Sequence, residues 1–133
     1  MIYYNKPENG YKNLTEHQVQ ELEEVFSSGH CWVLALTLHR MFSYPISAFI
    51  DDMIVEHAWV TLPNGKDLDI LGVSVCCWSK PTHTNMTEEQ FINNTENGSC
   101  FVPEGTKLGL SDDEFEHCKQ VVEEYLIPTY NFA

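Results

Sequence analysis

The stretch at residues 32–42 constrains the fold more than any other part of the chain. Wound as a helix, it is apolar nearly all round, with three polar side chains (Thr37, His39 and Arg40) among its residues. A helix of this kind is buried in the middle of a domain rather than on its surface. It follows Gly29-His30-Cys31, and it ends before Pro45 because the residue preceding a proline avoids helical geometry. We therefore expect the rest of the domain to be built around this helix.

Capping boxes mark the starts of three further helices. In each box a hydroxyl side chain stands three positions before Glu or Gln: Thr15 with Gln18, Thr87 with Gln90, and Ser111 with Glu114. The first helix is predicted at about residues 15–27, and a short one near residues 88–93. The last is predicted at about residues 112–126, ending before Pro128, which cannot continue a helix.

Strands are predicted between the buried helix and Gly72, at residues 46–50, 56–62 and 67–71. Beyond Gly72, residues 73–78 and 101–102 could each form a further strand. A chain of 133 residues suits one hydrophobic core. The sequence thus predicts a single α+β domain over residues 1–133.

The loop of the hairpin near residue 64 determines which strand residues share a face. Asn64-Gly65 alone suggests a two-residue type I′ turn, in which Leu62 faces Asp67. Pro63 instead favours a type I turn followed by the glycine as a left-handed bulge. Leu62 then faces Lys66, and every later pair shifts by one residue.

The side-chain pattern favours the bulged register. One face of the hairpin then carries only apolar residues, namely Ala58, Val60, Leu62, Leu68 and Ile70. The other face carries His57, Trp59, Thr61, Asp67 and Asp69. The unbulged register would bury Asp67 and Asp69 among aliphatic side chains, which costs several kcal/mol. The bulged register also places Asp69 diagonal to His57, within reach of a carboxylate–imidazole hydrogen bond.

Cys31, His57 and Asp69 form a candidate nucleophile–base set. A thiol that attacks a carbonyl needs an imidazole to take its proton and a third group to orient the imidazole. Cys31 stands where the buried helix begins, a position at which a helix favours thiolate and offers backbone N–H groups to an oxyanion. The alternatives are a plain buried thiol, a plain strand histidine, and Asp67 in place of Asp69.

The order of these residues resembles a known enzyme family. Gly29-His30-Cys31-Trp32, Ala35, Pro45, His57-Ala58-Trp59-Val60 and Asp69 follow one another as in the transglutaminase-like branch of the papain-like cysteine enzymes. The resemblance covers residues 29–72, about a third of the chain. It implies a papain-like core in which the buried central helix packs on a small antiparallel sheet. It also implies that Cys31 is the nucleophile, His57 the general base and Asp69 the orienting acid.

The same resemblance bears on the cleft and on the reaction. The start of the helix at Cys31 would form the oxyanion site, and Trp32 and Trp59 could wall the cleft, although packing is the simpler role for both. The implied activity is acyl transfer or hydrolysis of an amide or ester through a thioester, as in a peptidase, a deamidase or a transglutaminase. The family usually has Pro-Thr after the acid, whereas Ile70-Leu71 follows here, which leaves the substrate class open.

Cysteine content argues against a zinc site, and no metal or organic cofactor is expected. Five cysteines, at positions 31, 76, 77, 100 and 118, are odd in number and lack CxxC spacing. This pattern predicts neither a disulfide framework nor a zinc site, and it favours a reducing cytoplasm. No transmembrane or secretory segment is expected either, because the longest apolar run is short and the first residues are polar.

The charge of the chain restricts its partners. Twenty acidic residues against seven basic ones give a net charge of −13, and the basic residues are scattered singly. Nucleic acid and anionic membranes are therefore not expected as partners. A neutral or basic protein or peptide substrate is expected, and the oligomeric state stays open. The alternative is a non-enzymatic acidic protein, either a polyanion mimic or an inactive papain-like fold, that binds a basic partner.

Overall fold

Helices and antiparallel strands make up the chain, whose computed structural model describes residues 14–27, 29–74, 80–99 and 101–133. In chain order the elements are α1 (Glu16–Ser27), α2 (Cys31–Phe42), β1 (Ile46–Asp51), β2 (Ile54–Thr61), β3 (Asp67–Asp69), β4 (Gly72–Val73), β5 (His83–Met86), α3 (Glu88–Asn94), α4 (Asp112–Val121), a π-helical segment (Val122–Leu126) and α5 (Ile127–Tyr130). The class is α+β, as the sequence predicts.

The buried helix is α2. Its side chains from Cys31 to Leu38 are all buried, and it packs against β2, α4 and α1. Full burial of one leucine side chain contributes about 1.5–3 kcal/mol, so this helix anchors the core. Ser43 ends it in a left-handed conformation, with its N–H donating to the carbonyl of His39 at 2.8 Å.

All three predicted capping boxes form. Both reciprocal hydrogen bonds are present at Thr15 with Gln18, at Thr87 with Gln90 and at Ser111 with Glu114. On α1, Leu22 and Phe26 are buried in the core. In each box the two side chains accept hydrogen bonds from each other's backbone N–H groups within one turn. These helix starts can therefore be located from the sequence.

The sheet has the strand order β4-β3-β2-β1-β5, and each neighbouring pair is antiparallel. Ala58, Val60 and Leu68 point into the core that α2 shares. The edge strand β5 was not predicted, because the sequence His83-Thr84-Asn85-Met86 has no alternating apolar pattern. Only Met86 of that strand is buried.

Two predicted strands beyond Gly72 differ from the structure. Residues 101–102 lie in a turn rather than a strand, and the N–H of Val102 donates to the carbonyl of Ser99 at 3.2 Å. The strand pairing nearby involves Ser99, which bridges to Val55. The other prediction, residues 73–78, reduces to β4 and a turn at Ser74, and its remaining residues lie outside the described part of the chain.

The last helix does not end at residue 126. The N–H of Ile127 donates to the carbonyl of Val122, five residues back, and the chain stays helical to Tyr130. In an α-helix the ring of Pro128 would clash with the carbonyl four residues earlier. The wider π turn lets the chain accept the proline without stopping.

The hairpin between β2 and β3 adopts the bulged register. Val60 pairs with Leu68, and Thr61 pairs with Asp67. The N–H of Gly65 donates to the carbonyl of Leu62 at 2.9 Å, and the φ of Gly65 is +85°. Both features belong to a type I turn with a glycine bulge, so this prediction is confirmed.

Gly65→Ala is expected to lower the free energy of unfolding by about 1 kcal/mol, because a residue with a side chain is strained in the left-handed region. An added Cβ would meet nothing within 4 Å, so the cost comes from the backbone alone. Gly109→Ala is the matched control, since its Cβ would also meet nothing and its φ is not positive. Urea unfolding of both variants measures the difference, and equal effects at the two positions would contradict the bulge.

Candidate active site

His57 on β2 and Asp69 on β3 form a buried pair. The ring nitrogen Nε2 of His57 lies 3.2 Å from Oδ2 of Asp69, and the two residues are 7% and 4% exposed. The other carboxylate oxygen, Oδ1, accepts the N–H of Leu71 at 2.9 Å. The N–H of the following turn thus holds the Asp69 carboxylate in place. The carboxylate then fixes the orientation of the His57 imidazole. Asp67, the alternative acid, lies opposite Thr61 in the strand pairing, at the other end of β3 from Asp69.

A β-bulge lies beside this pair. On β1, Phe49 pairs with His57 and Ile50 pairs with Val55, which leaves Glu56 without a partner in the ladder. Bulges often re-aim a side chain next to a functional site. The ring of His57 also lies against Trp59, with 5.4 Å between centroids and a tilt of 30°. The imidazole is therefore constrained by a neighbouring ring as well as by the carboxylate.

Cys31 is the first residue of α2. It is a free cysteine and is 4% exposed. The turn before it depends on its neighbours: Gly29 has a φ of +114°, and the indole N–H of Trp32 donates to the carbonyl of Gly29 at 3.0 Å. Burial lowers the pKa of His30, against an opposing effect of Glu114. The sequence Gly-His-Cys-Trp thus gives a fixed helix start with the thiol in its first turn.

Gly98 and Ser99 contact the strand that carries His57, and Phe101 contacts the turn that precedes Cys31. The carbonyl of Gly98 accepts the N–H of Val55 at 2.9 Å, and Ser99 bridges to Val55 in parallel. Phe101 lies against Gly29, since a Cβ on that glycine would be 2.4 Å from the ring atom Cδ2. The structure thus brings His57 and Asp69 together, and it places Cys31 at the start of the helix that packs against the face of Ala58 and Val60.

The tryptophans have packing positions. Trp32 is 5% exposed and Trp59 is 1% exposed. Trp32 stabilises the turn before α2, and Trp59 supports the ring of His57. Their burial agrees with the packing role that the sequence favours for both.

The other cysteines divide into two groups. Cys118 lies on α4 and is fully buried, and burial raises the pKa of its thiol to about 12. Such a thiol is inert at neutral pH. The remaining three, at positions 76, 77 and 100, lie outside the described residues.

One neighbour of the pair was not foreseen from sequence. The hydroxyl of Tyr130 donates to the carbonyl of Leu71 at 3.2 Å, and its ring lies against Gly72, where a Cβ would be 2.8 Å from Cε1. Tyr130 therefore braces the turn whose N–H holds Asp69. Because the predicted helix stops before Pro128, nothing in the sequence placed Tyr130 beside this turn. Gly72, directly after the predicted strand at residues 67–71, was the available signal that another side chain approaches the backbone closely.

Comparison with family models, with curated proteins and with solved structures gave no significant match. Within the described ranges, no three His, Cys, Asp or Glu side chains group as ligands for a metal ion. No helix in the same ranges is both long enough and apolar enough to cross a bilayer. Function is therefore inferred from the residues of the site themselves.

The hydrogen bond to Asp69 predicts the tautomer of His57. Because Nε2 faces a carboxylate, the neutral ring should carry its proton on Nε2 and leave Nδ1 unprotonated. Long-range ¹H–¹⁵N correlation spectra distinguish the two tautomers. Asp67→Asn is the matched control and should leave the His57 signals unchanged, whereas Asp69→Asn should shift them. A ring protonated on Nδ1 in the unaltered protein would contradict the geometry.

Proposed function

We propose that this chain is a cysteine-dependent acyltransferase or hydrolase with a papain-like core. The observation that carries the proposal is the buried hydrogen bond between Nε2 of His57 and Oδ2 of Asp69. It orients the imidazole through Nε2, and in the proposed reaction Nδ1 exchanges a proton with a thiol. Cys31 supplies that thiol from the first turn of α2.

The reaction proceeds through a thioester. Nδ1 of His57 takes the proton of the Cys31 thiol, and the sulfur attacks the carbonyl carbon of an amide or ester. Backbone N–H groups of the first turn of α2 stabilise the oxyanion. The imidazolium, stabilised by Asp69, then gives its proton to the departing amine or alcohol. Water or a second amine attacks the thioester, which yields an acid or a new amide and returns the proton to the sulfur.

Charge and cysteine chemistry favour a particular substrate and compartment. With a net charge of −13, the chain attracts neutral or basic protein or peptide substrates more than acidic ones. A reducing cytoplasm, which the odd number of cysteines favours, keeps the thiol reactive. The mechanism draws no chemistry from a metal or organic cofactor.

The same charge also favours a second candidate function. A net charge of −13 suits a non-enzymatic protein, including an inactive papain-like fold, that binds a basic partner. Such binding would weaken with added salt and would persist in Cys31→Ala.

Iodoacetamide alkylation tests the catalytic proposal. At about pH 6.5 an ordinary thiol, with a pKa of about 8.5, is almost wholly protonated and reacts slowly. Cys31 is expected to react at least about tenfold faster than it does in His57→Ala, because general-base assistance contributes roughly 10²–10⁴-fold to a full reaction. Peptide mass mapping assigns the modified cysteine, and Cys118, whose thiol is fully buried, is the internal unreactive standard.

Matched acid variants sharpen the same test. Asp69→Asn should slow the alkylation of Cys31, whereas Asp67→Asn should not. Circular dichroism establishes that each variant is folded. If folded His57→Ala protein is alkylated at Cys31 as fast as the unaltered protein, the catalytic proposal is wrong.

A further inference from the structure

We propose that Phe101 forms an apolar subsite beside Cys31, which receives a large hydrophobic side chain of a peptide substrate. This inference rests on the proposed function and names a substrate feature for that site. Phe101 is 61% exposed, against 39% for Leu71 and 37% for Met53, the other large exposed apolar side chains of the described residues. A phenyl ring this open to water, two residues of chain from the proposed nucleophile through its contact with Gly29, offers apolar surface to a substrate.

The position of the ring is fixed by the backbone beneath it. Its face lies on Gly29, two residues before Cys31, at a distance that any side chain at position 29 would block. The N–H of Phe101 is held by the hydroxyl of Ser99 at 3.2 Å. The next residue, Val102, lies against Gly98, whose φ is +79°. The ring is therefore preorganised, which lowers the entropic cost of binding a partner to it.

The charge of the chain indicates the occupant. The side chain of Asn97 donates to the carbonyl of Asp52 at 2.9 Å, in the exposed turn between β1 and β2. Asp51, Asp52 and Glu56 are exposed there, and no cation among the described residues forms an ion pair with them. An exposed apolar ring on a chain with a net charge of −13 suits a peptide that has an aromatic or large aliphatic residue at the reacting acyl group and a basic residue close by.

Activated esters test the subsite. The probes are the 4-nitrophenyl esters of N-acetylphenylalanine and N-acetylglycine, and released nitrophenolate gives the kcat/KM of each. The phenylalanine ester is expected to be preferred by roughly tenfold after correction for its uncatalysed hydrolysis, the order of discrimination that an apolar pocket gives. In Phe101→Ala the preference should fall to about twofold or less, and Phe101→Leu should retain part of it.

A matched control removes a phenyl ring elsewhere. Phe132 contacts Phe42 and Tyr44 at the opposite end of α2, so Phe132→Ala should leave the preference unchanged. If Phe101→Ala retains the full preference, or if the unaltered protein shows none, the subsite is wrong while the proposed function stands. If the unaltered protein hydrolyses neither ester and Cys31 shows ordinary reactivity with iodoacetamide, the proposed function is wrong and the subsite with it.

Discussion

The register of the hairpin between β2 and β3 determines which side chains share each face of the sheet. Side chains alternate between the two faces of a strand, so a shift of one residue would move Asp69 from the face of His57 to the face of Val60. Pro63 and Gly65 prevent that shift by enforcing a bulged turn. The turn thus keeps two carboxylates out of the aliphatic core. As a result, the buried hydrogen bond between His57 and Asp69 depends on turn chemistry several residues away.

The second half of the site is built from contacts distant in sequence. Gly29 and Trp32 shape the turn before α2, and the burial of α2 fixes where Cys31 stands. Gly98 and Ser99 contact β2 at Val55, and Phe101 contacts Gly29. The proposed triad uses a single acid, Asp69, out of the twenty acidic residues that give the chain its charge of −13.

Features encoded within a few residues could be predicted from the sequence. The capping box at Ser111, the buried helix and the bulged hairpin each depend on neighbouring side chains, and all three are present. The histidine–aspartate pair follows directly from the hairpin register. Features that depend on tertiary contacts could not be predicted in this way: β5 pairs at the sheet edge without an apolar pattern, and the π segment carries the chain past Pro128 to Tyr130. The closeness of Phe101 to Gly29 likewise arises only in the fold.

Trapping of the thioester tests the central claim most directly. The protein is mixed with 4-nitrophenyl acetate, quenched in acid within the first turnover and digested, and the acetylated peptide is identified by mass spectrometry. The account predicts one acetyl group on Cys31 in the unaltered protein and almost none in His57→Ala. Acetylation of Cys31 to the same extent in both proteins, or acetylation only at other side chains, would contradict it.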